Sequence, residues 1–250
     1  MNILLNGCLG KMGQNVEECI NERSDVMINC GVDIAAGERI YPVYTSFADV
    51  EEQPEVIIDF SNPLVPEDML GFAEERKIPV VICTTGFSEA QVQRIKDAAM
   101  KIPVFYSGNM SLGINVLIEL SKMAAKALSG SFDIEIVEKH HHRKLDAPSG
   151  TALMIADSIC EEAGDKQYVY DRHAYRKKRD PNEIGIHSIR GGTIVGEHDV
   201  IFAGDNEVLT ITHQAQSRSL FAVGAINAAA FLAGKPAGNY DMSDLLKERY

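Results

Sequence analysis

The amino-acid sequence predicts an α/β protein that combines a doubly wound parallel sheet domain with an inserted α+β domain, whose sheet is mostly antiparallel or mixed. Three observations predict this fold class. Over the first hundred residues, short apolar runs alternate with helical patterns, which is typical of βαβ units. After Ser111, a long apolar helix leads into strands with no regular helices between most of them. Near the C-terminus, a helix that is apolar nearly all round must be buried, and we expect it to return to the first domain.

The first domain is predicted to contain strands at residues 2–7, 26–33, 55–61, 79–85 and 103–111. A helix over residues 12–22 follows the glycines that come after the first strand. Pro66 suits the first turn of a second helix, where proline is tolerated. Ser88 and Gln91 form a capping-box pattern at the start of a third helix, "EAQVQRIKDAAM". Because strands and helices alternate, we expect a parallel sheet with helices on both faces.

The second domain is predicted to begin with a helix over residues 113–128, which precedes half-buried strands. The segment "FDIEIVEKH" alternates apolar and polar residues. "TIVGEHDVIFAG" and "NEVLTITHQAQ" are also typical of half-buried strands and are joined by Gly-Asp-Asn turn chemistry. This pattern predicts a largely antiparallel sheet. Residues 165–184 are rich in Lys, Arg and Asp, so we expect a solvated or subunit-contacting excursion rather than core.

Composition and charge narrow the class of function. The chain has 250 residues and a formal net charge of -12, and an acidic surface repels nucleic acids and anionic lipids. We therefore expect a small-molecule partner, with no nucleic acid and no membrane. No apolar run approaches membrane-spanning length, and Met1 leads directly into a strand rather than a signal peptide. The five cysteines are scattered and lack CxxC spacing, which indicates reduced thiols, so we expect a cytoplasmic protein.

The motif "NGCLGKMGQ" places three glycines, Gly7, Gly10 and Gly13, between the first strand and the first helix. A turn without Cβ atoms lets the backbone approach a pyrophosphate, and the helix N-terminus offers free N–H groups to it. The spacing is G-x-x-G-x-x-G, with Leu9 where the common dinucleotide fingerprint has its second glycine. Alone, such a glycine turn between a strand and a helix is a weak signal.

Asp33 strengthens the signal because it ends the second strand, twenty residues beyond Gly13, where an acid would bind the adenosine ribose hydroxyls. Without the glycines, Asp33 would be an ordinary turn residue. Together they favour dinucleotide binding. Ile34 stands where an arginine could have bound the 2′-phosphate of NADPH, so NADH fits slightly better than NADPH. Lys11 could still bind that phosphate, so NADPH stays an alternative.

Two further strand ends, "CTTGF" and "SGNMS", are expected beside the cofactor, because ligands of open α/β sheets lie beyond the carboxyl ends of the strands. Thr84, Thr85 and Gly86 offer hydroxyl and backbone N–H groups to nicotinamide or substrate, and Asn109 can bond a carboxamide. As isolated motifs, both segments are equally well explained as ordinary strand-end turns.

The segment "EKHHHRKLDAPSGTA" is open to three interpretations: a metal site, a catalytic cluster or an ordinary polar loop. Strand alternation would send His140 and His142 to one face and His141 to the other, so the three cannot easily converge on one metal. Only folding could add further ligands, from His187, His198 or His213. We therefore expect no metal.

Acid–base chemistry suits the same segment better. His140 and Lys144 are four residues apart at a strand end, where one substrate could reach a proton donor and a fixed positive charge. Ser149 can cap the helix that follows, and the N–H groups of Gly150 and Thr151 can form a carboxylate cradle. The ordinary alternative is a helix cap beside a surface histidine cluster.

The motif "EIVEKHHHRKLDAPSGTA" resembles the signature of the dihydrodipicolinate reductase family. "GCLGKMG", "TTGF", "NMSLGIN", "IVGEHDVIFAG" and "ITHQAQSR" resemble other segments of that family, in the same order and over the whole chain. The resemblance implies a Rossmann domain at residues 1–111 and 219–250, and a substrate-binding and tetramerisation domain at residues 112–218. It also implies reduction of 4-hydroxy-tetrahydrodipicolinate to tetrahydrodipicolinate with NADH or NADPH, in the diaminopimelate route to lysine, by a homotetramer that needs no metal.

The resemblance also implies roles for single residues. His140 matches the family's proposed proton donor, Lys144 its second acid and substrate-binding lysine, and His141 a histidine that contacts substrate. A further set matches the substrate contacts, namely Ser149, Gly150 and Thr151 at one carboxylate and Thr85 near the nicotinamide. The cofactor-binding positions are matched by Gly7, Cys8, Leu9, Gly10, Lys11, Met12, Asp33, Cys83, Thr84, Thr85, Ser107, Gly108, Asn109 and Met110.

Two departures from the family pattern bear on the cofactor. Cys83 stands where glycine is common, and Ile34 stands where some members carry arginine. Both put the choice between NADH and NADPH in question, and neither touches the reaction class.

Two other classes of protein stay open on sequence alone. A semialdehyde dehydrogenase would need a cysteine nucleophile beside a histidine, and none of the five cysteines has a convincing nucleophile context. An NAD(H)-sensing regulator would need a surface for DNA or a protein partner, and the acidic charge argues against DNA.

Overall fold

The computed structural model describes residues 1–21, 23–63, 66–128, 130–173 and 176–248. The chain divides into two compact units: unit 1 is Met1–Leu112 with Arg218–Tyr250, and unit 2 is Gly113–Ser217. Within the described ranges, no helix has the length and apolar character needed to cross a membrane.

The elements follow one another in chain order as listed here: β1 (Asn2–Asn6), α1 (Lys11–Asn21), β2 (Met27–Val32), β3 (Val43–Tyr44), β4 (Val56–Asp59), α2 (Pro66–Arg76), β5 (Val80–Ile82), α3 (Glu89–Ala99) and β6 (Pro103–Tyr106). The next are α4 (Leu112–Leu128), β7 (Asp133–His140), α5 (Gly150–Ala163), β8 (Gln167–Val169), β9 (Glu183–Arg190), β10 (Gly196–Ala203) and β11 (Val208–Ala215). The last are α6 (Ser219–Leu232), β12 (Gly238–Tyr240) and α7 (Met242–Lys247). A short 3-10 turn, Phe47–Asp49, lies between β3 and β4.

Unit 1 holds a seven-stranded sheet in the order β12-β6-β5-β4-β1-β2-β3, and its strand pairs are parallel. The chain runs outward in one direction from β1 to β3 and in the other from β4 to β12. The direction reverses between β1 and β4, where Asn6 lies opposite Asp59 in register. A reversal of this kind opens a ligand crevice beyond the carboxyl ends of the strands. The predicted doubly wound sheet is confirmed.

Two apolar layers cover the faces of this sheet. Ile3 and Leu5 of β1 belong to the layer that contains α6 residues, whereas Leu4 belongs to the layer that contains α2 and α3 residues. Alternation along a strand sends neighbours to opposite faces, so a strand buried on both sides is apolar throughout. In α6, a Cβ at Gly224 would collide with the backbone carbonyl of Met110. The small residues of α6 therefore let it pack closely within unit 1, as the sequence predicted.

Unit 2 holds a five-stranded sheet in the order β11-β10-β7-β9-β8. β10 is antiparallel to both β7 and β11, whereas β9 is parallel to both β7 and β8. The sheet is therefore mixed, as the predicted fold class allows, and the expectation of a largely antiparallel sheet holds for only one half of it. Residues from α4 and α5 cover one of its faces.

The expectation of a solvated excursion at residues 165–184 is wrong in part, because this segment contains β8 and the start of β9. Its charged residues partner buried or half-buried groups. Arg179 donates to the backbone carbonyl of Glu183 at 2.6 Å and to the carboxylate of Glu135 at 2.9 Å, and Arg172 contacts the buried Glu183 carboxylate at 2.6 Å. Charge density alone did not distinguish an ion-paired sheet edge from a loop. Residues 174 and 175 lie outside the described part of the segment.

Local signals located most helix starts correctly. Ser88 and Gln91 form both hydrogen bonds of a capping box at α3, and Pro66 is the first residue of α2. The predicted first helix ends at Asn21, and residue 22 lies outside the described ranges. Sequence reasoning missed the short elements β3, β8, β12 and α7, which are two to six residues long, and also the eight-residue strand β9. The short elements cannot show a periodic pattern. β9 begins inside the charged segment that was expected to be an excursion.

Candidate active site

The glycine loop between β1 and α1 leaves no room for side chains. Gly7 has a positive φ of 80°, and a Cβ there would lie 2.6 Å from the Phe60 carbonyl oxygen. A Cβ at Gly13 would lie 2.5 Å from the carbonyl oxygen of Gly7, so α1 packs directly on the loop. The Gly10 N–H donates to that same carbonyl at 3.1 Å. This close packing brings the backbone N–H groups at the α1 N-terminus to the surface, as a pyrophosphate site requires.

Asp33 lies beside this loop, directly after β2. Its Oδ2 accepts a hydrogen bond from the Leu9 backbone N–H at 2.8 Å, which ties the loop to the strand end. Ile34 is 80% exposed and brings no charge. A cavity of about 540 Å³ opens here, and its lining includes Gly7, Gly10, Asp33, Thr45 and Ser61. The residues present fit the adenosine end of a dinucleotide.

The two other predicted cofactor segments, at positions 83–87 and 107–111, contain both buried and exposed residues. Thr85 is exposed, whereas Thr84 is buried. Burial, with a smaller contribution from the Asp59 charge, raises the pKa of the Cys83 thiol well above its ordinary value. Asn109 is buried, and its Oδ1 accepts from the Ser111 backbone N–H at 2.8 Å. Both segments therefore hold several of their side chains inward.

The remaining cofactor-site candidates lie in the segment of residues 107–110 and in the glycine loop. Met110 is buried, Ser107 is half-buried, and Gly108 is exposed. In the glycine loop, Cys8 is buried, Lys11 is exposed, and Met12 is half-buried. The thiol of Cys8 has a pKa raised to about 11 by burial, so it is a packing residue rather than a nucleophile.

A polar cluster at the switch point between β1 and β4 was missed by sequence reasoning. Asp59 is 2% exposed, and its Oδ1 accepts from the Asn6 side chain at 2.7 Å and from the Ser61 backbone N–H at 3.1 Å. The Ser61 hydroxyl also donates to it, at 2.5 Å. Burial raises the pKa of Asp59, although these neutral donors oppose the rise. The signal available in the sequence was position alone, since both Asn6 and Asp59 end a buried strand.

In unit 2, the end of β7 carries a second buried carboxylate, Glu138, which is 0% exposed. Its Oε2 lies 2.6 Å from Nδ1 of His140, and Arg190 of β9 donates to both carboxylate oxygens at 2.7 Å. The Ser149 backbone N–H donates to Oε1 at 3.1 Å. Burial alone would raise the pKa of Glu138, but the hydrogen bonds from His140, Arg190 and Ser149 hold it well below its ordinary value.

His198 of β10 closes this cluster from the neighbouring strand. Its ring lies edge-on to that of His140, with centroids 5.3 Å apart, and its Nε2 lies 3.2 Å from the Ser149 hydroxyl. That hydroxyl also accepts from the Ala152 backbone N–H at 3.2 Å and so caps α5. Burial, and then the His140 charge, lower the pKa of His198 to about 4, so its ring is neutral at neutral pH.

The residues between His140 and α5 form a turn rather than more strand, so the predicted alternation of the three histidines does not extend past β7. His142 and Arg143 are exposed, and His141 is half-buried. Lys144 lies 2.9 Å from Asp146, and its backbone N–H donates to the His141 carbonyl at 3.1 Å. At the start of α5, Gly150 is exposed and Thr151 is half-buried.

Of the three histidines that could have completed a metal site, two lie near His140: His198 is beside its ring, and His213 lies opposite His198 in the β10–β11 register. His187 lies elsewhere and pairs with Glu135 at 2.8 Å. Among the described residues, no group of three or more His, Cys, Asp or Glu side chains is arranged to hold a metal ion. The buried cluster around His140 instead brings together a carboxylate, a guanidinium and two imidazoles, which suits proton transfer.

Comparisons with known proteins cover nearly the whole chain. The family model described as the N-terminus of dihydrodipicolinate reductase matches residues 1–110, and the model described as its C-terminus matches residues 113–246. A 4-hydroxy-tetrahydrodipicolinate reductase from Caldanaerobacter subterraneus subsp. tengcongensis is 53% identical over 249 residues, which are 99% of each chain. One from Clostridium tetani is 45% identical over 98% of this chain and 97% of its own.

The fold also matches a solved structure. Dipicolinate-bound dihydrodipicolinate reductase from Paenisporosarcina sp. TG-14 superposes with a TM-score of 0.81, over 96% of this chain and 97% of its own. The two sequences are 23% identical, so this match supports the fold.

Proposed function

This chain belongs to the dihydrodipicolinate reductase family, and on that premise we propose which of its residues carry the reaction. The enzyme is an oxidoreductase that uses NAD(P)H to reduce 4-hydroxy-tetrahydrodipicolinate to tetrahydrodipicolinate, in the diaminopimelate route to lysine. Unit 1 binds the dinucleotide and unit 2 binds the dicarboxylate. The observation that carries the substrate assignment is the buried Glu138–His140 pair beside the capped N-terminus of α5.

Proton transfer is the work of His140 and Lys144. Loss of the 4-hydroxyl group of the substrate as water leaves a ring double bond conjugated with the C=N. When bound, the dinucleotide would supply a hydride to that double bond, and the resulting enamine then requires one proton to become tetrahydrodipicolinate. Either His140 or Lys144 donates this proton, and the Lys144 ammonium group also offsets the negative charge of the substrate. Lys144 is positioned by an ion pair with the Asp146 carboxylate, at 2.9 Å, and by the hydrogen bond from its backbone N–H to the His141 carbonyl. His141 contacts the substrate from this turn.

One substrate carboxylate binds at the N-terminus of α5. The N–H groups of Gly150 and Thr151 and the helix dipole favour negative charge there. Ser149 helps to build this site. Its hydroxyl caps the helix and contacts His198, and its backbone N–H donates a hydrogen bond to the Glu138 carboxylate. Thr85 of unit 1, which is exposed, supplies a further substrate contact.

The dinucleotide binds to unit 1 through the glycine loop, residues 7–12, and through Asp33, which accepts the ribose hydroxyls. Residues 83–85 and 107–110 bind at the nicotinamide end. We propose a slight preference for NADH, because Asp33 and the uncharged, exposed Ile34 offer nothing to a 2′-phosphate. Lys11, which is exposed on the same loop, is the residue that would support NADPH.

The assembly we propose is a cytoplasmic homotetramer formed through unit 2. α4 and α5 cover one face of its sheet, whereas Ile189, Val208 and Leu209 on β9 and β11 are exposed. None of the five cysteines, all of which lie in the described ranges, forms a disulfide, which suits a reducing compartment. Light scattering coupled to gel filtration tests this assembly, since a monomer mass at micromolar concentration contradicts it.

A coupled assay tests the reaction and the cofactor together. Dihydrodipicolinate synthase, pyruvate and aspartate semialdehyde generate the substrate, and loss of absorbance follows NADH and NADPH in parallel. We expect oxidation above the enzyme-free rate with both cofactors, and a higher kcat/KM with NADH. No oxidation with either cofactor contradicts the activity, and a clear preference for NADPH contradicts the assigned role of Asp33 and Ile34.

Substitution tests the proton donors. His140→Gln and Lys144→Ala should each lower kcat by at least ~10²-fold, because proton transfer by a positioned side chain is worth about that much. His142→Gln is the matched control, since His142 lies in the same run of histidines but is exposed, and its kcat should stay normal. A near-normal kcat in either donor variant contradicts that assignment.

A further inference from the structure

Glu138 and Arg190 form a buried support behind His140 that no step of the proposed reaction uses directly. Glu138 is on β7, two residues before His140, so both side chains point to the same face of the sheet. Arg190 comes from β9, the parallel neighbour of β7, and lies opposite His140 in register. Its two terminal nitrogens each contact one Glu138 oxygen at 2.7 Å, a bidentate arrangement that fixes the carboxylate plane.

The charge on Glu138 decides which way its hydrogen bond to His140 runs. The arginine and the backbone N–H of Ser149 both donate to the carboxylate, which keeps it ionised although it is fully buried. An ionised carboxylate has only acceptor atoms. Nδ1 of His140, 2.6 Å away, must therefore donate, so its proton stays on Nδ1 and Nε2 is the nitrogen that exchanges a proton.

The surroundings of the His140 ring agree with this direction. A Cβ at Gly196 would lie 3.1 Å from Nε2, so the glycine on β10 keeps that nitrogen clear of a side chain. The charged or titratable groups facing the ring are Glu138 on β7, Arg190 on β9 and His198 on β10, and the charge of Lys144 from the turn acts on His198. His198 is bonded through Nε2 to Ser149, and its buried Nδ1 has no hydrogen-bond partner within the described ranges.

We propose that Glu138, held ionised by Arg190, is a positioning residue that fixes the Nδ1–H tautomer of His140 and so presents Nε2 to the substrate. The inference rests on the proposed function, in which His140 donates the proton.

A purely structural role for the pair is the alternative, and it has different consequences. If Glu138 and Arg190 only joined β7 to β9, removing the charge would lower stability but leave the ring tautomer and the pH profile of kcat as they are. The chain offers a matched control on the same strand. Glu135 is bonded to an imidazole, His187, at 2.8 Å, and to an arginine, Arg179, at 2.9 Å.

The experiment combines a direct reading of the ring with kinetics. Enzyme labelled with 15N at histidine reports the tautomer of His140, whose signal is assigned by its loss in His140→Gln. In the wild-type enzyme at high pH, we expect the proton on Nδ1. A proton on Nε2 would overturn the proposal without Glu138→Gln having to fold.

Kinetics of Glu138→Gln supply the second reading. We expect kcat to fall by ~10²- to 10⁴-fold, as when an aspartate behind a catalytic histidine is neutralised, and the pH profile of kcat to differ from that of the wild-type enzyme. Glu138→Asp, which keeps the charge, should restore part of kcat. Glu135→Gln should leave the tautomer and the pH profile unchanged.

The outcomes separate this proposal from the one on which it rests. If His140→Gln keeps a normal kcat, the assignment of His140 as proton donor fails, whatever the tautomer. If His140→Gln loses activity but Glu138→Gln keeps the wild-type kcat, tautomer and pH profile, then the role of Glu138 fails and that of His140 stands.

Discussion

Each unit buries one carboxylate at the carboxyl end of an interior strand, and the two carboxylates behave in opposite ways. Asp59 ends β4 in unit 1 and is 2% exposed, whereas Glu138 lies near the end of β7 in unit 2 and is 0% exposed. The pKa of Asp59 is raised by burial, and that of Glu138 is lowered in spite of burial. Both side chains are almost fully excluded from solvent, so exclusion from solvent does not by itself set the direction of the pKa shift.

The difference lies in the charge of the partners. Asp59 accepts hydrogen bonds from an amide, a hydroxyl and a backbone N–H, all of which are neutral. Glu138 is contacted by a bidentate arginine and an imidazole. A buried carboxylate stays ionised when a cation lies beside it, and neutral donors only moderate the cost of its charge. Position at a strand end therefore does not reveal whether a buried acid carries charge.

The largest effect is expected from removing the cation. Arg190→Met leaves Glu138 buried without its charge partner, so the free energy of unfolding should fall by ~3–5 kcal/mol. Urea denaturation measures it. Arg94→Met is the control, because Arg94 pairs with the exposed Glu67 as well as with Glu74 and should cost under ~1 kcal/mol. An equal loss in both variants would mean that the Glu138–Arg190 pair contributes no more than a surface pair.

A smaller effect is expected from the same neutralising change made at both acids. Glu138→Gln removes charge-assisted hydrogen bonds and should lower the free energy of unfolding by ~1.5–3 kcal/mol. Asp59→Asn keeps an acceptor oxygen for Asn6 and Ser61, and removes a charge that burial disfavours, so its cost should stay within ~1 kcal/mol. Thermal and urea unfolding of the two variants side by side check this order. A larger loss for Asp59→Asn would reverse the comparison.

The pH dependence of stability should separate the two acids by sign. The folded pKa of Glu138 lies below its ordinary 4.5, so its stabilisation is present above that value and is lost as pH falls toward the folded pKa. The folded pKa of Asp59 lies above its ordinary 3.8, so the folded state binds that proton more tightly and gains stability as pH falls through the folded value.

Variants reveal these opposite slopes, each of which reaches at most ~1.4 kcal/mol per pH unit. As pH falls below 4.5, Glu138→Gln should flatten the acid-side loss of stability. At pH values above 3.8, Asp59→Asn should remove the gain that offsets this loss, so its curve should be steeper. Urea unfolding at a series of pH values measures both curves. A flatter curve for Asp59→Asn would show that its carboxyl is not the group that gains a proton on folding.

The smallest effect concerns the helix caps of the two units. Ser149 is buried and caps α5 while contacting His198, whereas Ser88 caps α3 at the surface. Ser149→Ala should cost ~1 kcal/mol and Ser88→Ala ~0.5 kcal/mol in the free energy of unfolding. Equal costs would indicate that the buried contact with His198 adds nothing to the cap.

The sequence by itself determined the elements whose cause is local. Alternating apolar runs and helical periods predicted most of the strands and helices of unit 1, and Ser88 and Gln91 predicted the capping box of α3. The glycine loop and Asp33 were also predicted to act together, and the Leu9–Asp33 hydrogen bond joins them. Each of these features depends on residues that are close in sequence or on a spacing that one βαβ unit sets.

Only the tertiary structure decided which charges meet. The parallel pairing of β7 with β9 brings Arg190 to Glu138, and the antiparallel pairing with β10 brings His198 to His140. At the switch point, the pairing of β1 with β4 brings Asn6 to Asp59. These contacts depend on the register between residues that are fifty or more positions apart in the chain, which no local period encodes. The ionisation of both buried acids follows from that register, because it sets which partner lies beside each one.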